Sequence, residues 1–268
     1  MRSTRFLSEG AAALVVLIAC SGAQAQRQPP LAAAAAQAQA GHFDQAAATL
    51  VAAIRGNPKA GENSYLLLSE CYSQLGDPAK AEAKHYYAQW AYLNARERIC
   101  VQQESEALAQ PGLNDLALLQ MNTLLGMCRS RLQEADGARQ AFQRANEINS
   151  RQAAYDPVAA FQYGQFLTRY GDDAAAQEIV DQILQRSPRF APAHLEKAKH
   201  YDRSGDPARA IAEARLVLSS DGNDVNSERA AHILLARCHS MLGNAGEAAK
   251  EQQWIEAHPN PETPRKPR

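Results

Sequence analysis

The sequence predicts an all-α fold, a stack of helical hairpins, on three observations. Ala46, Ala81, Ala138, Ala176, Ala210 and Ala248 each stand five residues after a turn-like position, in turns such as Gly41-His42-Phe43, Gly171-Asp172-Asp173 and Gly205-Asp206-Pro207. Seven residues before each turn sits a second small residue: Ala34, Ser69, Gly126, Gly164, Ala198 or Ala236. Between the turns there is no β-branched alternating run, so no sheet is expected. A small residue on each of two helices lets their axes approach closely while larger side chains fill the space around them. Recurrence at fixed spacing then makes this hairpin the unit of a repeat architecture.

The step from Gly171 to Gly205 is 34 residues, the period of the tetratricopeptide repeat. Tyr72 and Tyr201 fill that repeat's first-helix aromatic slot, Leu50 and Phe142 its large apolar slot on the second helix, and Pro58 and Pro188 its closing proline. Over residues 27 to 262 the chain resembles this family, with departures. Arg129 and His239 stand at the first-helix aromatic slot, His85 and Gln252 at the second-helix apolar slot, and the opening tryptophan is nowhere a tryptophan. The resemblance implies a right-handed α-solenoid of about six hairpins with an irregular helical insertion after the second. It also implies a concave face, lined by first helices, that receives segments of partner proteins.

Residues 1–25 read as an export signal. Arg2 and Arg5 precede an apolar stretch from Ala11 to Ala19, too short to span a bilayer permanently, and Ala23-Gln24-Ala25 offers a cleavage site that would leave Gln26 first. A second reading uses Leu17-Ile18-Ala19-Cys20, which resembles a bacterial lipobox and makes Cys20 a lipidation candidate; a third keeps the segment as an anchor. The protein is accordingly expected to be exported, either periplasmic or anchored to the outer membrane facing the periplasm. A net charge of −1 argues against a general nucleic-acid surface.

Hairpins are expected at 27–60, 62–95, 119–152, 157–190, 191–224 and 229–262, with the insertion at 96–118 and a disordered tail at 263–268. Pro29-Pro30 suits the start of the first helix, where a missing donor costs little. No Gly or Pro interrupts 79–110, a stretch that would run about 48 Å as one helix. Either it projects as one long helix or it breaks near Asn94 and its second part packs back. Trp254 and Ile255 beside Lys250 and Glu251 read as a terminal capping helix, apolar inward and charged outward. Cys71, Cys128 and Cys238 share one first-helix slot and read as small core residues. Cys100, outside the repeat frame, is the exception, with Cys128 as its candidate partner.

No catalytic or metal motif is present: no phosphate loop, paired-histidine helix, Cys-x-x-Cys or nucleophile elbow. No cofactor is expected and the chain is not expected to be an enzyme. His194 and His232 share the tryptophan slot, which favours packing over metal binding. Function is therefore expected in the groove. Phe161, Leu195 and Ile233 share one groove-facing slot; Arg131, Arg169 and Arg203 share another; Lys199 and Arg237 share its neighbour. Arginines suit bidentate carboxylate contacts, so the expected ligand is an acidic segment with apolar anchors. The family's chaperone-tail clamp is not reproduced at matching slots. The leading expectation is a non-catalytic scaffold of the bacterial cell envelope. The alternative is an outer-membrane lipoprotein similar to those that help type IV pilus secretins assemble, and a further one is an accessory protein of an envelope enzyme complex.

Overall fold

The computed structural model describes residues 29–57, 61–75, 77–220 and 225–259. The export signal, Cys20, Pro58 and the tail 263–268 lie outside the described residues. Among those described, all thirteen elements are helices. The chain divides into two compact units, Met1–Ile148 and Asn149–Arg268. The first holds α1 (Pro29–Gln39), α2 (Phe43–Gly56), α3 (Glu62–Leu75), α4 (Asp77–Leu93), α5 (Glu97–Leu108), α6 (Asp115–Arg131) and most of α7 (Ala135–Arg151). The second holds α8 (Pro157–Arg169), α9 (Asp173–Arg186), α10 (Ala191–Arg203), α11 (Pro207–Ser219), α12 (Val225–Met241) and α13 (Ala245–Ala257).

Among the described residues, six of the connections between successive helices share one geometry. The N–H groups of His42, Arg96, Glu134, Asp172, Asp206 and Asn244 each donate to the carbonyl five residues back, at 2.8–3.0 Å. This bond satisfies a carbonyl that the helix end leaves without a partner, and it requires a left-handed residue just before the donor. Gly41, Gly171, Gly205 and Gly243 supply it at φ 74–79°, whereas Ala95 (φ 54°) and Gln133 (φ 62°) adopt it at a cost of about 1 kcal/mol each. The helices that follow are held at their starts by Asp172 and Asp206, whose side chains accept from Ala175 N–H and Arg209 N–H.

The left-handed Ala95 decides the course of 79–110: the stretch is two helices, α4 and α5, joined by the same turn that closes the hairpins. A buried tie repeats with it. His85 Nδ1 lies 2.5 Å from Glu104 Oε1 across α4 and α5, and His194 Nδ1 lies 2.7 Å from Glu213 Oε2 across α10 and α11. His232 and Glu251 join α12 and α13 in the same way, and all three pairs are 19 residues apart. Each His thus fills an apolar or aromatic slot of the repeat with an aromatic ring whose polar edge meets a carboxylate on the opposite helix. Burial raises the Glu104 carboxyl above the usual carboxylate range, opposed by the hydrogen bond and charge of His85. A disulfide between Cys100 and Cys128, Cα atoms 6.2 Å apart, fastens α5 to α6.

At the heart of each hairpin sit the small residues. Ala46, Ala81, Ala138, Ala176 and Ala210 are at most 1% exposed, as are Ala34 and Ala198. The axes of α6 and α7 approach so closely that a Cβ on Gly126 would lie 2.8 Å from Phe142 Cγ. Around these contacts the first unit packs Leu50, Tyr65, Leu68, Cys71 and Trp90, and the second packs Leu195, Ala214, Val217, Leu235 and Cys238. Asn149, fully buried, locks the chain ahead of α8 by exchanging two hydrogen bonds with the Asp156 backbone, at 2.7 and 2.8 Å.

The last hairpin departs from expectation. Ala248 is only half-buried and α13 has no buried residue, because among the described residues no helix follows to cover it. Nor is its charged face wholly outward: Glu251 turns inward onto His232. Trp254 is half-buried, its ring stacked between His232 at 3.7 Å and His258 at 4.1 Å.

Two helix glycines at one slot should respond oppositely to the same change. Gly126→Ala is expected to lower stability by about 1–3 kcal/mol through overpacking against Phe142. Gly164→Ala, whose Cβ would meet Ile179 at an ordinary 3.5 Å, should gain up to about 1 kcal/mol from helix propensity. Urea unfolding of the two variants checks both signs. The disulfide closes a loop of 28 residues. Its reduction, or a Cys100→Ser/Cys128→Ser pair, should cost about 3–4 kcal/mol in the same assay. Cys71 should stay unlabelled by thiol reagents, since burial and then the Glu70 charge push its thiol up to about 12.

Candidate partner-binding cleft

Asp156 caps α8, its carboxylate accepting from Val158 N–H at 2.9 Å and Ala159 N–H at 3.1 Å, with Pro157 pre-set for the first turn. This start fixes which residues of α8 face α9 and α10. Phe161, Gln165, Thr168 and Arg169 then line one wall of a cleft of about 230 Å³, opposite Gln177 and Val180 of α9 and Glu196 of α10. Phe161 is half-buried, its ring edge-on to Phe190 at 5.8 Å, while Arg169 is exposed at the mouth. On α10, Lys199 donates to Glu196 at 2.8 Å. The cleft therefore offers one aromatic wall, one guanidinium, two side-chain amides and a carboxylate already paired with a lysine. Lys197 nearby bonds Asp181 at 2.8 Å. Burial pulls its ammonium down, but the Asp181 hydrogen bond and charge outweigh this and hold it above its ordinary value.

Of the residues expected to line a groove, only Phe161 and Arg169 meet in this cleft. Arg203 is exposed at the end of α10. Arg131 and Arg237 make contacts away from it. Arg131 lies over the Tyr92 ring at 3.6 Å and donates to the Tyr92 carbonyl at 2.9 Å, so it holds the α4–α5 turn against α6. Arg237 reaches from α12 to the buried Asp202 of α10, its Nε donating to Oδ1 at 3.0 Å. Both side chains keep part of their surface exposed while a ring face or a carboxylate of the chain itself holds the guanidinium.

The apolar stripe is corrected. Leu195 is 8% exposed, packed in the core that α12 closes over, so it presents no anchor. Phe161 is covered in part by Phe190, at the entry to α10. Ile233 alone is widely exposed, at 47%, and it sits in a different cleft, between α12 and α13. That slot is where one hairpin meets the next, and its exposure measures whether a further helix follows. Sequence reasoning missed Gln165, Gln177 and Glu196, because polar residues at solvent-facing helix positions carry no signal until two further helices bring them to one wall.

Among the described residues no three His, Cys, Asp or Glu side chains gather to hold a metal ion, and no helix is long and apolar enough to cross a membrane. No sequence-family profile matches the chain, and no curated protein does. Solved structures do. The C-terminal part of a TPR repeat-containing protein from Cytophaga hutchinsonii superposes with a TM-score of 0.56 at 13% identity, over 87% of this chain and 96% of that one. The fold is that of the tetratricopeptide repeat. BtubC from P. vanneervenii is similar at a TM-score of 0.57 and 15% identity, over 86% of this chain and 96% of that one. A Podospora anserina structure of kinesin light chain TPR-like repeats aligns at 0.54 and 15%, over 68% and 95%.

The two kinds of basic residue are separable by experiment. Arg237→Ala leaves the Asp202 carboxylate buried without its guanidinium and should cost about 1–3 kcal/mol in urea unfolding. Arg203→Ala, at an exposed site, should stay within about 0.5 kcal/mol of the parent in the same measurement.

Proposed function

We propose that this protein is an interaction scaffold whose second unit holds an extended segment of a partner protein in the cleft between α8, α9 and α10. The observation that carries this is the meeting of Phe161 and Arg169 at one concave site with two glutamine side chains. An aromatic wall takes an apolar anchor, and the guanidinium takes an adjacent carboxylate in bidentate fashion. Gln165 and Gln177 each offer a donor and an acceptor, the pairing that a peptide backbone presents. Arg203 on the next first helix extends the positive charge beyond the cleft. A short acidic stretch with one apolar residue is the complement of this arrangement.

The scaffold acts in the bacterial cell envelope, after export. The tripartite start of the sequence supports this, and so does the Cys100–Cys128 disulfide, since such bonds persist in oxidising compartments and are rare where glutathione and thioredoxin keep thiols reduced.

The test is the double charge reversal Arg169→Glu/Arg203→Glu, compared with the parent in pull-downs from the native cell envelope at low and moderate salt. Proteins recovered by the parent should drop at least about tenfold with the variant, as expected for the loss of a charge-assisted contact worth about 1.5–3 kcal/mol. Their recovery by the parent should also weaken as salt rises. Unchanged recovery in the variant would sink the proposal.

A further inference from the structure

Within the second unit the exposed side of the α10–α11 hairpin is closed by the first helix of the next one. In the second unit α12 lays Ala231, Leu235 and Cys238 onto Ala210 and Ala214 of α11 and Leu195 of α10. Counted back from the turn, the slot of Cys238 is held by Cys71, Cys128 and Phe166 on other first helices and that of Leu235 by Leu68, Leu125 and Tyr163, all six buried, while α10 places the half-buried His200 and Lys197 there. On α1 the same two slots are Ala36 and Ala33, and both are exposed.

At the other end the mating surface is open as well. Between α12 and α13 lies a cleft of about 560 Å³ lined by the apolar Ile233, Ala236, Ala248, Ala249 and Ile255 and by the polar Arg237, Ser240 and Gln252, with Arg237 already held by Asp202. It is the site that a following first helix would fill, by continuity with the α10–α11–α12 interface. Terminal repeats ordinarily carry a polar outer face for solubility. Among the described residues, 29–43 contain no Asp, Glu, Lys or Arg, and the α12–α13 cleft keeps Ile233, Ala236, Ala248 and Ala249 at small and apolar slots beside Arg237, Ser240 and Gln252.

We infer that a second copy of this chain is the occupant: α1 of one molecule stacks in the α12–α13 cleft of another. The uncharged α1 brings no ion into the cleft that would have to be desolvated, and its alanines permit the close axial approach that the small residues Ala236 and Ala248 allow from the other side. Such an interface is heterologous, joining two different patches of the chain, so each molecule keeps one unsatisfied end for a further copy.

Sedimentation velocity on the purified protein, from micromolar to near-millimolar concentration, tests this with two variants at exposed positions, Ala36→Glu and Ala249→Glu. The parent is expected to grow in mass with concentration. Each variant alone should remain a monomer, and an equimolar mixture of the two should give dimers and nothing larger, because one intact α1 face meets one intact α12–α13 face. Circular dichroism checks that both variants fold; Ala33→Glu and Gln252→Glu replace them if either does not. A parent that stays monomeric overturns the inference, as would follow if the chain's own residues before Pro29 covered α1 or if the cleft served a different protein. Association abolished by one variant and untouched by the other would also overturn it, since that is the behaviour of a two-fold contact through a single end.

Discussion

Two helices whose axes approach closely leave no room at the crossing for more than a methyl group, and the rest of this structure is arranged around that limit. Ala34 with Ala46, and Ala198 with Ala210, are at or near zero exposure at such crossings, and at Gly126 even a methyl is excluded by the Phe142 ring. Because the crossing residues contribute little apolar area themselves, stability comes from the larger side chains that the close approach brings together. Those side chains reach outward to the next hairpin as well as inward. A hairpin of this kind is therefore never complete by itself, and burial along the chain follows position in the stack.

That dependence accounts for what happens at 79–110. Were α4 and α5 one rod, α6 would have had no second helix to pack on, and the buried slot of Cys128 would face solvent. The turn at Ala95 accepts left-handed strain to avoid this. The disulfide then fastens α5 at the slot where a preceding second helix belongs, and the His85–Glu104 tie joins it to α4 much as the corresponding ties join the two C-terminal hairpins. What reads as an insertion by repeat spacing is, in its packing, another hairpin that borrows α4 as its first helix.

Charge follows the same economy. Guanidinium groups on first helices lie close to neighbouring hairpins, and two are drawn into internal ties: Arg131 onto Tyr92 and Arg237 onto Asp202. The candidate cleft is lined by α8, α9 and α10, with Phe161 half-covered and Arg169 exposed.

The repeat itself, its hairpin turns and the small residues at its crossings were legible in the sequence, because each is a local steric requirement that returns at fixed spacing. Phe161 and Arg169 were legible as members of slots, and so was the chance for Cys100 to meet Cys128. The sequence alone did not separate Leu195 from Ile233, two apolar residues in one slot, or Arg237 from Arg203, two basic residues near the end of a first helix. Those distinctions depend on whether a following helix covers the slot and on which carboxylate it brings within 3 Å. Local spacing determined which residues can touch within a hairpin, while the tertiary structure decided which of them remain exposed, since exposure is a property of neighbours distant along the chain.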